Sequence, residues 1–121
     1  MKLDFTSEVP LYLQIGSALK EEILGGIYGE EEQVPSTTEI SLTYKINPAT
    51  VLKGYNLLVD EDIIYKRRGV GMFVKTGAVE KLKAVRKKEF YSSYVEPLLE
   101  EAQRLSISRE ELIAMFEEEK E

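Results

Sequence analysis

Two helix-start signals lie only a few residues apart in the middle of this chain, and they leave little choice of fold. Ser36-Thr37-Thr38-Glu39 has the form of a capping box, in which the Ser36 hydroxyl accepts from the Glu39 amide and the Glu39 carboxylate reaches back. Asn47-Pro48 is the second signal. Asparagine caps a helix well, and proline suits the first helical position, where its missing N–H has no partner to lose. The helix that begins at Ser36 is short and ends near Tyr44 or Lys45. The next runs to about Asp60, with Val51, Tyr55 and Leu58 on its inward stripe. Two helices joined by so short a turn have the spacing of a helix-turn-helix.

The flanking segments complete the pattern. Leu11, Ile15, Leu19 and Ile23 recur every four residues, which predicts a helix from Pro10 to the stop at Gly25-Gly26. Ile27 to Val34 reads as a polar, acidic connector. After Asp60, IIYKR and MFVK are β-prone runs on either side of RGVG, a glycine-bearing turn. Three helices followed by a hairpin make a winged helix-turn-helix, which ends at Gly77. Residues 78–121 read as helical. Val79 to Glu96 carries a basic strip and then Phe90, Tyr91 and Tyr94. Pro97 either kinks this helix or begins a new one. Leu98, Leu99, Ala102 and Leu105 continue the apolar face, and Ser108 to Glu111 is another capping-box pattern, leading into Leu112, Ile113, Met115 and Phe116. The expected fold is mainly α with a small β-hairpin wing: residues 1–77 a winged helix-turn-helix domain, residues 78–121 a short two-helix C-terminal dimerisation tail.

Composition narrows the function. The chain has 121 residues, room for one domain and an appendage. It has no cysteine and no histidine, which removes thiolate sites, the commonest catalytic base and the commonest metal ligand. There is no phosphate loop and no carboxylate pair in a plausible cleft, so neither an enzyme nor a cofactor or metal is expected. No apolar run is long enough for a membrane span, and no signal-type stretch opens the chain, so a cytoplasmic protein without membrane partners is expected. The net charge of −6 speaks against a nucleic-acid partner. Its distribution speaks for one: Lys66, Arg67 and Arg68 form one basic knot, and Lys81, Lys83, Arg86, Lys87 and Lys88 another, while the acids gather elsewhere.

In a helix-turn-helix the second helix enters the major groove with its N-terminal end against base edges. That end is Asn47, Pro48, Ala49 and Thr50, with Lys53 one turn on. Asparagine reads adenine, and alanine or threonine methyls meet the thymine methyl. Asn47 serves as an N-cap in either case. Ser36 and Thr38 open the supporting helix, whose hydroxyls and amides suit phosphates. Lys66, Arg67 and Arg68 approach the wing tip, where Gly69 and Gly71 permit a sharp turn. Strand alternation sends Arg67 to the face opposite Lys66 and Arg68. Double-stranded DNA is therefore the expected partner. The acidic balance motivates a second reading, a winged-helix protein-interaction module that does not bind DNA specifically.

Phe90, Tyr91, Tyr94, Leu98, Leu99, Leu105, Leu112, Ile113 and Phe116 are more apolar groups than two helices can hide. Burial against a second copy is the expected solution, in a two-fold homodimer. A small-molecule effector beside Phe90, Tyr91 and Tyr94 stays open, because aromatics at helical spacing equally make an interface core.

LYLQIGSALKEEILGG, VPSTTEIS, INPATVLKGYNLLVDEDII and KRRGVGMFV, in this order and spacing over Pro10 to Lys75, resemble the GntR family of transcription regulators. The tail, YVEPLLEEAQRLSISREELIAMF, is similar to the YtrA subfamily, which carries only a small two-helix dimerisation region. The resemblance implies a homodimer on a palindromic operator, usually a repressor, often of transporter genes. It assigns DNA contacts to Ser36, Thr38, Asn47, Ala49, Thr50, Lys53, Arg67, Arg68, Gly69 and Gly71. Three departures stand out: Thr38 replaces a usual arginine, Asn47-Pro48 replaces a frequent Ser-Arg, and Leu52 stands where relatives are basic or small. Fewer charged contacts follow, hence weaker binding or a different operator sequence.

Overall fold

The computed structural model describes residues 1–118 and divides into two compact units, Met1–Ala84 and the residues from Val85 on. The first unit is built on α1 (Leu11–Leu24), α2 (Thr37–Tyr44) and α3 (Pro48–Asp60), followed by a hairpin of β1 (Ile64–Arg67) and β2 (Gly71–Val74) and the start of α4 (Ala78–Phe90). Its core is the one the periodicity predicts, except that Leu11, at the start of α1, is only half-buried and lies outside it. Ile15, Leu19 and Ile23 of α1 meet Val51, Tyr55 and Leu58 of α3, and all six are fully buried. Ile40, Ile46, Ile63, Ile64 and Val74 close the rest.

The turn between α2 and α3 is held by two bonds. Lys45 takes the left-handed conformation that ends α2 (φ 55°), which lets the Ile46 amide donate to Ser41 O at 3.0 Å. The Ser41 hydroxyl, buried, donates to Ile46 O at 2.6 Å. Satisfying that carbonyl internally fixes the angle at which α3 leaves the turn. Ser36 and Asn47 cap their helices as expected: Ser36 Oγ accepts from the Glu39 amide at 3.0 Å, and Asn47 Oδ1 from the Ala49 amide at 2.9 Å. Both halves of a capping box form at Ser108 and Glu111; the Ser36 cap has only its forward half.

The hairpin pairs Ile64 with Val74, Tyr65 with Phe73, Lys66 with Met72 and Arg67 with Gly71. The polar, acidic connector contributes a third, short run of backbone pairing. The Glu31 amide donates to Val74 O, Val74 donates to Glu32 O, and Val34 donates to Met72 O. This covers the free edge of β2, which a polar and acidic segment gives little sequence reason to expect. The first unit also extends past Gly77: Ala78 is buried and Val79 and Leu82 pack on the core, so the opening turns of α4 belong with it.

In the second unit the helix of α4 passes into a π-helical turn (Tyr91–Val95) and then α5 (Glu96–Arg104); α6 (Arg109–Glu117) follows. The choice at Pro97 is settled by the π turn. Pro97 has no N–H for the carbonyl four residues back, and its ring crowds that carbonyl. The chain widens just before it, with the Glu96 amide bonded to Tyr91 O, five residues back, and the helix continues. Among the described residues no helix is long and apolar enough to cross a membrane, and no cluster of acidic side chains is placed to hold a metal.

Candidate nucleic-acid interface

The start of α3 stands in solvent. Asn47, Pro48 and Ala49 are exposed and Thr50 is half-buried. Asn47 spends one lone pair of Oδ1 on its cap, which leaves its NH₂ group and the second lone pair to face a ligand. A bidentate contact with adenine is thus compatible with capping, since the base needs one donor and one acceptor. The outward face continues through Leu52, Lys53, Asn56 and Asp60, which with Ala49 border a shallow groove. Lys53 does not float free: its ammonium lies 4.0 Å from the centre of the Tyr12 ring on α1. The ring's negative face orients the cation without consuming its donors. Leu52 is 43% exposed and plays no part in the core. Asn56 escaped the sequence reading, although its spacing from Ala49 and Lys53, opposite Val51, Tyr55 and Leu58, places it on the same face.

On α2, Ser36 and Thr38 are both exposed at the helix start, beside the unpaired amides of the first turn. Tyr55, fully buried beneath, donates to Pro35 O at 2.7 Å and so ties α3 to the segment leading into α2. Burial pushes its phenol far above the ordinary range, so it stays a neutral donor.

The wing separates its three cations. Lys66 and Arg68 are exposed and form no ion pair among the described residues. Arg67 is turned the other way, as strand alternation requires. Its guanidinium lies over the Phe73 ring at 4.3 Å, donates to the Tyr65 hydroxyl at 3.1 Å and faces Glu31 at 3.7 Å. Glu31 in turn accepts from the Tyr65 hydroxyl and from both the amide (3.0 Å) and hydroxyl (2.8 Å) of Thr76. These bonds, Tyr65 first, hold its carboxyl below the usual glutamate range. At the tip Gly69 has φ 76° and Gly71 φ 147°, conformations that L side chains rarely adopt. Gln33 packs against Gly71 and donates to Val70 O at 3.1 Å, pinning the tip from the connector. Neither Gln33 nor Glu31 was legible as a wing residue without knowing that the connector pairs with β2.

Of the second basic strip, Lys81 pairs with Asp62 (3.8 Å) and Lys83 with Glu80 (4.0 Å), so part of that charge is answered within the chain. In the second unit the apolar side chains lie open. Phe90, just before the π turn, and Tyr91 and Tyr94 within it are 55–58% exposed, with the Phe90 and Tyr94 rings 5.6 Å apart. Leu98, Leu99, Leu105, Ile113 and Phe116 are exposed too, and Leu112 is half-buried. Leu99, Ala102, Ile107, Leu112 and Phe116 line an apolar groove between α5 and α6.

Comparison with known proteins matches residues 11–74, the helix-turn-helix and wing, to the family model of bacterial regulatory proteins, gntR family. Among characterised sequences the chain is 36% identical over 78 residues to the HTH-type transcriptional repressor YtrA of Bacillus subtilis, a match covering 66% of this chain and 60% of that one. It is also 29% identical to a relative whose own role is uncharacterised, the HTH-type transcriptional regulator YhcF of the same organism, over 93% of this chain and 92% of that one. Among solved structures, a GntR family transcriptional regulator from Listeria monocytogenes superposes with a TM-score of 0.71 at 27% identity, covering 98% of this chain and all of that one.

Proposed function

The chain belongs to the GntR family of bacterial regulatory proteins, in its YtrA-like group, and is a DNA-binding transcription regulator; from that premise we propose that it acts in the cytoplasm as a homodimeric repressor on a palindromic operator. Each α3 enters a major groove at its N-terminal end. Asn47, Ala49 and Thr50 meet base edges, and Lys53, held by Tyr12, reaches a phosphate. Ser36 and Thr38 bind the backbone beside the groove. Lys66, Arg68 and the turn at Gly69 to Gly71 approach the minor groove or its phosphates, with Arg67 behind them. The second unit supplies the two-fold axis by burying Phe90, Tyr91, Tyr94, Leu98, Leu99, Leu105, Leu112, Ile113 and Phe116 against a second copy. Family members are regulators and no step here calls for catalysis. A small effector, if the chain takes one, has the aromatic cluster at the π turn for a contact.

The observation that carries this reading is the solvent-facing start of α3, where Asn47 caps the helix and still offers donor and acceptor to a base. The test is selection of bound duplexes from a random pool. An inverted repeat is the expected product, with half-sites about one helical turn or a multiple of it apart. Recovery of no preferred sequence, together with affinity indifferent to salt, would return the winged helix to the class of protein-interaction modules.

A further inference from the structure

Glu31 occupies a backbone conformation that a glutamate adopts at a cost. Its φ is 66°, in the left-handed region, one position before the connector's pairing with β2 continues. A strained non-glycine residue persists when its surroundings over-determine it. Here they do so through one carboxylate, which gathers the Tyr65 hydroxyl, the Thr76 amide and hydroxyl, and the Arg67 guanidinium. Oxygens converging on hydroxyl, amide and guanidinium donors reproduce what a DNA phosphate offers a wing. We propose that Glu31 is an internal stand-in for a DNA phosphate: it holds Arg67 against Phe73, lowers the chain's affinity for DNA, and is exchanged for the phosphate backbone when the wing engages.

The geometry permits exchange. Arg67 and Glu31 are separated by 3.7 Å, and their side chains remain about half exposed (51% and 46%), so the pair is screened and of the weak surface kind. Arg67 is the last residue of β1, adjacent to the exposed Arg68 at the turn. The exchange requires its guanidinium to turn from Phe73 toward the outer edge of the hairpin. The contact at Thr76 is separate from this exchange and stays in place, anchoring Glu31 while Arg67 leaves. The inference rests on reading the hairpin as the DNA-contacting wing.

The test uses the full chain and a mixed-sequence duplex, with affinity followed across a salt series. Glu31→Gln keeps a carbonyl for Thr76 and removes the charge. It is expected to bind about two- to fivefold tighter, with the log–log salt slope unchanged, because Arg67 reaches the same phosphate in the complex of either chain. Glu32→Gln removes the same charge from the neighbouring position and is expected to bind as the parent does. In an Arg67→Ala background the Glu31→Gln gain is expected to vanish. Equal effects of the Glu31 and Glu32 variants, or a gain that survives without Arg67, would overturn the proposal and reduce Glu31 to general charge repulsion. Loss of both Lys66 and Arg68 to alanine with no change in affinity or slope would instead overturn the wing reading beneath it.

Discussion

A β-carbon added at Gly54 would stand 2.7 Å from the backbone oxygen of Tyr12 and 3.0 Å from Ile15 Cγ2. The first and third helices therefore meet backbone to backbone, and a residue that costs about 1 kcal/mol of helix propensity is retained because it lets them do so. Gly54→Ala recovers that propensity but forces two buried helices apart against a carbonyl that cannot rotate away. The net expectation is destabilisation by about 1–3 kcal/mol, read as a lowered urea midpoint and a drop in Tm of several degrees. A variant as stable as the parent would show that α1 and α3 slide freely, and that the placing of Lys53 by Tyr12 is equally loose.

Asn47 has two tasks that one substitution can separate. Serine caps a helix about as well as asparagine, but it lacks the amide pair that matches adenine. Asn47→Ser should leave thermal stability unchanged within about 0.5 kcal/mol while costing about 1–3 kcal/mol of binding at the operator position it reads. The check is a melting curve alongside binding to operator duplexes altered at each base pair. Uniform weakening across all duplexes would assign the side chain to the phosphate backbone.

Most of the first unit was legible because its signals are local. Ser36 and Asn47-Pro48 announce their helices through bonds to amides two or three residues on, and Ile15, Leu19 and Ile23 announce a buried face through spacing alone. Glu31, Gln33 and Tyr12 were not legible, because each acts through a partner far along the chain: Glu31 on Thr76, Gln33 on Val70, Tyr12 on Lys53. Arg67 shows the same limit from the other side. Alternation correctly set it apart from Lys66 and Arg68, but only the tertiary packing brings Phe73, Tyr65 and Glu31 around it. Pro97 needed the observed π turn, since sequence allows proline either to bend a helix or to open one.

Acid should weaken the first unit through its paired carboxylates. Asp62 accepts from Lys75 at 2.6 Å, and that bond, before the charges of Lys75 and Lys81, holds its carboxyl below the ordinary value of 3.8. Glu31 is held below 4.5 by Tyr65 and then Thr76. In both the folded form releases its proton more readily than the unfolded chain does. Their contribution is therefore complete above the unfolded values and is lost as pH falls through the folded ones. Asp62→Asn should flatten the dependence of Tm on pH below about 4 and leave it unchanged near neutrality. An unaltered acid slope would mean that the Lys75 contact is no stronger in the folded chain than in the unfolded one.

The dimer reading can be tested without disturbing the fold, because the side chains assigned to the interface are already outside the core. Phe116 is 69% exposed in the single chain, so Phe116→Glu replaces an apolar group that nothing in the protomer needs buried. Its cost to the isolated chain should fall within about 0.5 kcal/mol, the range of surface substitutions. Against a second copy the same change buries an unpaired carboxylate in an apolar interface, a cost of several kcal/mol. Sedimentation should therefore show the parent as a dimer and the variant as a monomer at equal helix content. Operator binding should weaken with it, and the salt slope should fall toward half, since a lone wing and helix neutralise about half the phosphates. A variant that still sediments as a dimer would move the two-fold axis away from Phe116, and retention of the full salt slope by a monomer would show that one copy contacts the whole operator.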